Sequence, residues 1–156
     1  MRQYIQPFIK VCTKVFKELV NLDLQASLPY FMEKNAATEC DVSGVIGLTG
    51  EARGAVVISM KQELAVKLTA KLTGSKKSTP NAETIDDALG EIINIIAGNA
   101  KKELEESLRL VISLPTIIKG KGHSINWPEN QTSVVCIPFT SSNGEALTLS
   151  VALDIV

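Results

Sequence analysis

Ile85-Asp86-Asp87-Ala88-Leu89-Gly90-Glu91-Ile92-Ile93-Asn94-Ile95-Ile96-Ala97-Gly98-Asn99-Ala100 is the most informative run in the chain. At about 100° per residue, Ile85, Leu89, Ile92, Ile96 and Ala100 gather on one side, which is the core face of a helix. Asp87, Glu91, Asn94, Gly98, Lys101 and Glu105 gather on the other at spacings of three and four, flanked by Ala88 and Ile95. The pattern predicts a helix from about residue 82 to about residue 108, roughly 40 Å long at 1.5 Å per residue. Most polar stripes of this kind are solvated faces, but two residues argue for more. Asparagine is a poor mid-helix residue, yet Asn94 lies between Ile93 and Ile95. Gly98, one turn later, costs about 1 kcal/mol relative to alanine. A glycine there lets something approach the helix closely, either a partner or another helix of the same chain.

Working outward, Ile5, Phe8, Ile9, Cys12, Phe16 and Leu19 predict an N-terminal helix, with Pro7 near its start, where no N–H is needed. Asn21 and Asp23 are its expected terminators. Residues 42–48, the turn Thr49-Gly50-Glu51, and the alternation Ala52, Gly54, Val56, Ile58, Met60 read as two antiparallel strands. Leu64, Leu68 and Leu72 form a short helix ending at Gly74. A polar loop over 75–81 precedes the long helix. After it come an extended piece at 114–118, a loop around Gly120, Gly122 and Pro128, and a closing hairpin of residues 133–139 and 146–155 turning at Asn143-Gly144. In the last strand Leu147, Leu149, Val151, Leu153 and Ile155 share the apolar face, and Thr148, Ser150 and Asp154 the more polar one. Pro138 marks an edge or a bulge. The order predicts an α+β fold, an antiparallel β-sheet with long helices packed on one face, in one domain spanning 1–156.

With 45% hydrophobic and 21% charged residues and a formal charge of -1, the chain has an ordinary globular balance. No strong field points to nucleic acid or an anionic membrane, and no segment nears the ~20 apolar residues of a membrane span. Cys12, Cys40, Cys136 and the single His123 are too scattered for a zinc site. Reduced thiols in the cytoplasm are the expected state. Lys119-Gly120-Lys121-Gly122-His123 lacks the length and ending of a phosphate loop and reads as a basic turn. His123 has no serine or cysteine and acid in a recognisable arrangement around it.

The stretch from Asp87 to Asn99 resembles the signature helix of the CheC, CheX and FliY phosphatases. Their pattern is Asp or Ser, three residues, Glu, two residues, Asn, and a proline further on. Asp87, Glu91 and Asn94 match it; Pro115 is the corresponding proline, after a slightly short gap. Tyr4-Ile5-Gln6-Pro7-Phe8 resembles a CheX start. CheC-type chains carry two such helices. Here Glu18-Leu19-Val20-Asn21 repeats the pair, but Lys14 stands where an acid or serine belongs, so the match reads as chance and Asn21 as a cap. The resemblance is therefore to CheX. It implies a homodimer whose sheets join and a phosphorylated CheY-like response regulator as partner. That partner brings its own Mg²⁺ and lysine, and no cofactor sits on this chain. It also implies Glu91 and Asn94 as catalytic residues, with Asp87 and Gly98 on the partner-binding face. Positioning and electrostatics dominate phosphoryl transfer. A carboxamide is neutral, and it both accepts and donates hydrogen bonds. Asn94 thus suits orientation of the attacking water, while Glu91 pairs with the receiver lysine. The alternative is a non-catalytic receiver-binding or dimerisation module, with Asn94 buried and Gly98 in a helix contact.

Overall fold

The computed structural model describes residues 2–33, 39–74, 80–125, 127 and 133–156. The polar loop before the long helix and the turn at Pro128 fall mainly outside this set. Ile5, Phe8, Val11, Cys12, Val15 and Phe16 recur at helical spacing and are buried on one side of α1 (Arg2–Val20). Pro7 lies inside α1, not at its start. Asn21 closes the helix in the left-handed region, φ 51. Its N–H donates to Lys17 O and that of Leu22 to Phe16 O, both at 3.1 Å. This pair of bonds satisfies the last carbonyls, and asparagine tolerates the conformation better than most side chains. Asn21 is therefore a cap, as expected.

The remaining elements are β1 (Leu24–Ala26), β2 (Tyr30–Phe31), β3 (Val42–Gly50), β4 (Ala52–Met60), α2 (Gln62–Thr73), α3 (Ala82–Leu104), β5 (Leu110–Ile112), β6 (Thr116–Lys119), β7 (Val135–Ser141) and β8 (Ala146–Ile155). The strands form one antiparallel sheet in the order β1-β7-β8-β4-β3-β5, with β2 also on β7 and β6 also on β3. Each edge is thus two short strands. Pro138 sits in β7 opposite Thr148, and its carbonyl accepts from Ser27 N at 2.8 Å. A strand residue's N and O point the same way, so the missing N–H faces the break between β1 and β2, where it costs no ladder bond.

Val42, Ile46 and Leu48 of β3, Val56, Ile58 and Met60 of β4, and Leu147, Leu149, Val151 and Leu153 of β8 join the helices in one apolar cluster. The α+β architecture matches the expectation. Two details differ. α3 ends at Leu104, and the N–H groups of Ser107 and Leu108 both return to Leu104 O. Glu51 then accepts from Arg109 N at 2.6 Å and donates its own N–H to Arg109 O, drawing the chain into β5, which the sequence did not signal. The β7–β8 loop spans residues 142–145, with positive φ only at Gly144 (φ 83). It is therefore not the two-residue turn that would need both central residues left-handed.

Part of the second sheet face is buried as well, although Thr148 and Asp154 of β8 are only half-buried. Ser43, Val57, Ser59, Cys136, Ser150 and Ala152 are all buried. Burial forces these hydroxyls to find partners. Ser43 Oγ lies 2.6 Å from both Ser59 Oγ and His123 Nε2, and His123 Nδ1 lies 2.8 Å from Gly120 O. A carbonyl only accepts, so Nδ1 carries a hydrogen. In the neutral ring Nε2 then accepts from Ser43, which accepts from Ser59. His123 does have a serine partner, which lay 80 residues away and out of reach of sequence spacing. Ser43→Ala should strip both neighbours of a buried partner and cost about 1–2 kcal/mol, or roughly 2–8 °C in Tm. An unchanged melting curve would contradict the chain of bonds.

Candidate functional site

α3 is held on three sides. Asn81 Oδ1 accepts from Thr84 N (2.8 Å) and Thr84 Oγ1 (2.7 Å), capping its start. Beneath, Ile85, Leu89, Ile92, Ile93 and Ile96 are buried. Ile93 reaches Gly44 of β3, where an added Cβ would lie 3.4 Å from Ile93 Cγ2. The buried arc is wider than the periodicity implied: Ala88, Ile93 and Ala97 belong to it as well. Along one flank Lys119 Nζ lies 2.7 Å from Asp86 Oδ1, a partly exposed ion pair worth little by itself. On the same flank, a Cβ at Gly90 would lie 3.4 Å from Pro115 Cγ. Gly90 therefore makes room for the proline. Lys10 of α1 pairs with Glu103 at 3.1 Å.

Asp87, Glu91 and Asn94 are exposed on the face left over, and Gly98 and Lys101 are half-buried in line with them. Glu105 is also exposed, but it is the C-cap of α3 and not part of the helical stripe. Glu91 and Asn94, three residues apart, are surface neighbours with Cβ atoms about 5–6 Å apart. No described residue engages the side chain of Asp87, Glu91 or Asn94 in a hydrogen bond or ion pair. A Cβ at Gly98 would meet nothing within 4 Å. Among the described residues the glycine thus has no packing reason, and Asn94 is exposed rather than buried in a helix contact with them.

The hollows lie elsewhere. A pocket of about 1030 Å³ is lined by Tyr30, Met32, Ser59, Ile125, Cys136 and Ser150 among others, and by none of Asp87, Glu91, Asn94 and Gly98. A second, about 940 Å³, lies among Glu51, Lys102 and Arg109. Burial pushes the Cys12 thiol up to about 12, and also raises Cys40, where Asp41 adds to the effect. None of the three cysteines forms a disulfide. Among the described residues no group of three or more His, Cys, Asp and Glu could hold a metal ion, and no helix is long and apolar enough to cross a membrane.

A paired carboxylate and carboxamide, unengaged on a convex helix, therefore form the candidate site. A family model described as "Chemotaxis phosphatase CheX" matches residues 42–140, a span that includes α3 and Pro115. The chain belongs to the CheX family. A curated relative from Thermotoga maritima, "CheY-P phosphatase CheX", is 32% identical over 78 residues, 49% of this chain and 50% of that protein. The match thus spans about half the length of the curated relative. A CheX crystal structure from Desulfovibrio desulfuricans superposes with TM-score 0.87 at 27% identity, covering 97% of this chain and 99% of that one. The CheX chain of a CheX–CheY–BeF3–Mg²⁺ complex from Borrelia burgdorferi shares the fold, with TM-score 0.79 at 23% identity over 97% of both chains.

Proposed function

We propose that this CheX-family chain hydrolyses the aspartyl phosphate of a CheY-like receiver. The observation that carries the reading is the exposure of Glu91 and Asn94, unengaged, on a convex helix and away from every pocket described above. Small-molecule sites are concave. A reactive pair on a ridge suits a substrate that supplies the cavity itself, as a receiver's phosphorylation cleft does. The Thermotoga relative is named for CheY-P, and the Borrelia relative was solved with CheY and Mg²⁺.

In this reading the receiver contributes the phosphorylated aspartate, Mg²⁺ and a lysine. Water oxygen forms the new bond to phosphorus, and the aspartyl carboxylate leaves with the electrons of the broken P–O bond. Asn94 accepts a hydrogen bond from that water and takes no proton; both water hydrogens leave with the inorganic phosphate. Glu91 pairs with the lysine and fixes the register. Asp87 extends the acidic edge, and Gly98 leaves room for the receiver. A homodimer joined through its sheets and a cytoplasmic setting belong to the same proposal; three cysteines outside any disulfide fit such a setting.

Glu91→Ala tests the docking half. Removing one partner of a desolvated interfacial charge pair costs about 2 kcal/mol or more, some thirtyfold in affinity. Titration of the phosphorylated receiver should show that loss together with slower dephosphorylation. Wild-type affinity in the variant would refute the lysine pairing.

A further inference from the structure

Leu114 is 88% exposed, so nearly all of its apolar surface stands in water. Its neighbours are committed inward. Ser113 N donates to Gly47 O at 3.0 Å, and Ser113 Oγ accepts from Gly47 N at 2.8 Å and donates to Leu114 O at 2.9 Å. On the other side Pro115 rests against Gly90, and Thr116 pairs with Val45 of β3. β5 and β6 are both laddered to β3, and the proline fixes its own φ. An exposed leucine on such a mount loses little conformational freedom on docking, which is what an affinity anchor needs.

Its position is as telling as its exposure. On the surface of α3, Gly90 borders Asp87 and Asn94 at spacings of three and four and adjoins Glu91 in the chain. Pro115 covers Gly90, and Leu114 is the next residue. A body seated over Glu91 and Asn94 therefore overlaps the ground on which Leu114 stands. The stripe itself is polar, and rim charges contribute mainly to encounter rate and register. Tight docking and exclusion of bulk water call for an apolar contact beside the reacting pair.

We infer that Leu114 is the hydrophobic anchor of the docking face, entering an apolar recess at the rim of the receiver's phosphorylation cleft, with Pro115 as its rigid support. The inference rests on Glu91 and Asn94 facing a receiver. The occupant is a receiver and not a second copy of the chain, because the anchor is continuous with the face that the reaction uses.

The test is the decay of phosphorylated CheY-like receiver, followed over a range of receiver concentrations with wild type, Leu114→Ala, Leu114→Met and Asn94→Ala, each checked for oligomeric state by sedimentation. Leu114→Ala should raise the half-saturating receiver concentration about tenfold or more and leave the plateau rate within about twofold. Leu114→Met should recover most of the affinity. Asn94→Ala should show the opposite split, a lower plateau at similar half-saturation. Wild-type concentration dependence in Leu114→Ala, with Asn94→Ala still impaired, overturns the anchor alone. Loss of the chain's own oligomer in Leu114→Ala would assign the leucine to self-association and overturn it too. No acceleration by wild type sinks both this inference and the phosphatase reading.

Discussion

Asn94→Ala is expected to reduce the acceleration of receiver dephosphorylation about 100-fold or more, equivalent to roughly 2.7 kcal/mol of barrier, while receiver affinity holds. The size follows from what is lost. Phosphoryl transfer to water needs little covalent help from the enzyme, so the catalyst's contribution lies in holding the water in line. Alanine keeps the helix and removes the acceptor. Misfolding cannot be the cause, since Asn94 is exposed and unbonded, and alanine is the better helix former by about half a kcal/mol. The variant should melt no lower than wild type. Phosphorylated-receiver decay, measured beside thermal unfolding and binding, separates the cases. Equal decay rates for wild type and variant would remove Asn94 from the chemistry.

Gly54→Ala should have the largest effect on stability. In β4, opposite Leu153 of β8, an added Cβ at Gly54 would overlap the carbonyl of Ala152. The obstacle is backbone within a ladder, not the end of a flexible side chain, so it cannot step aside. β8 also carries β7, and through it β1 and β2, so any shift propagates into half the sheet. We expect destabilisation of about 3 kcal/mol or more, a fall of roughly 6–12 °C in Tm, or no folded protein at all. Gly98→Ala is the control: its Cβ would stand in open space, and losing a mid-helix glycine should stabilise α3 by up to about 1 kcal/mol. If Gly54→Ala melts with wild type, the close approach of β4 and β8 is wrong.

These two glycines show how differently the same residue can be used. Gly54 is small because neighbouring backbone leaves no volume. Gly98 is small although no described residue crowds it, and its cost to the helix has no return among them. A receiver seated on α3 would supply that return, as it would for Asn94 and for the solvent-exposed Leu114.

The order of elements, the antiparallel sheet and the helix-borne stripe of Asp87, Glu91 and Asn94 could all be read from local pattern. Apolar spacings of two and of three to four residues determine which side of a strand or helix avoids water, and that needs no knowledge of neighbours. Even Asn21 was legible as a cap, since its conformational tolerance is a property of the residue. What only the tertiary structure decided are matters between distant parts of the chain. β8 looked two-sided because Thr148, Ser150 and Asp154 are polar. Burial of Ser150, and the pairing of Ser43 with Ser59 and His123, depend on segments far away in sequence. α3 stops at Leu104 although Leu108 continues its apolar period, because Glu51 takes Arg109 into the sheet. The sequence marked Asn94 and Glu91 as unusual. Only the folded chain showed them unengaged, with Pro115 against Gly90 and Leu114 beside it, because accessibility depends on everything packed nearby and not on spacing along one helix.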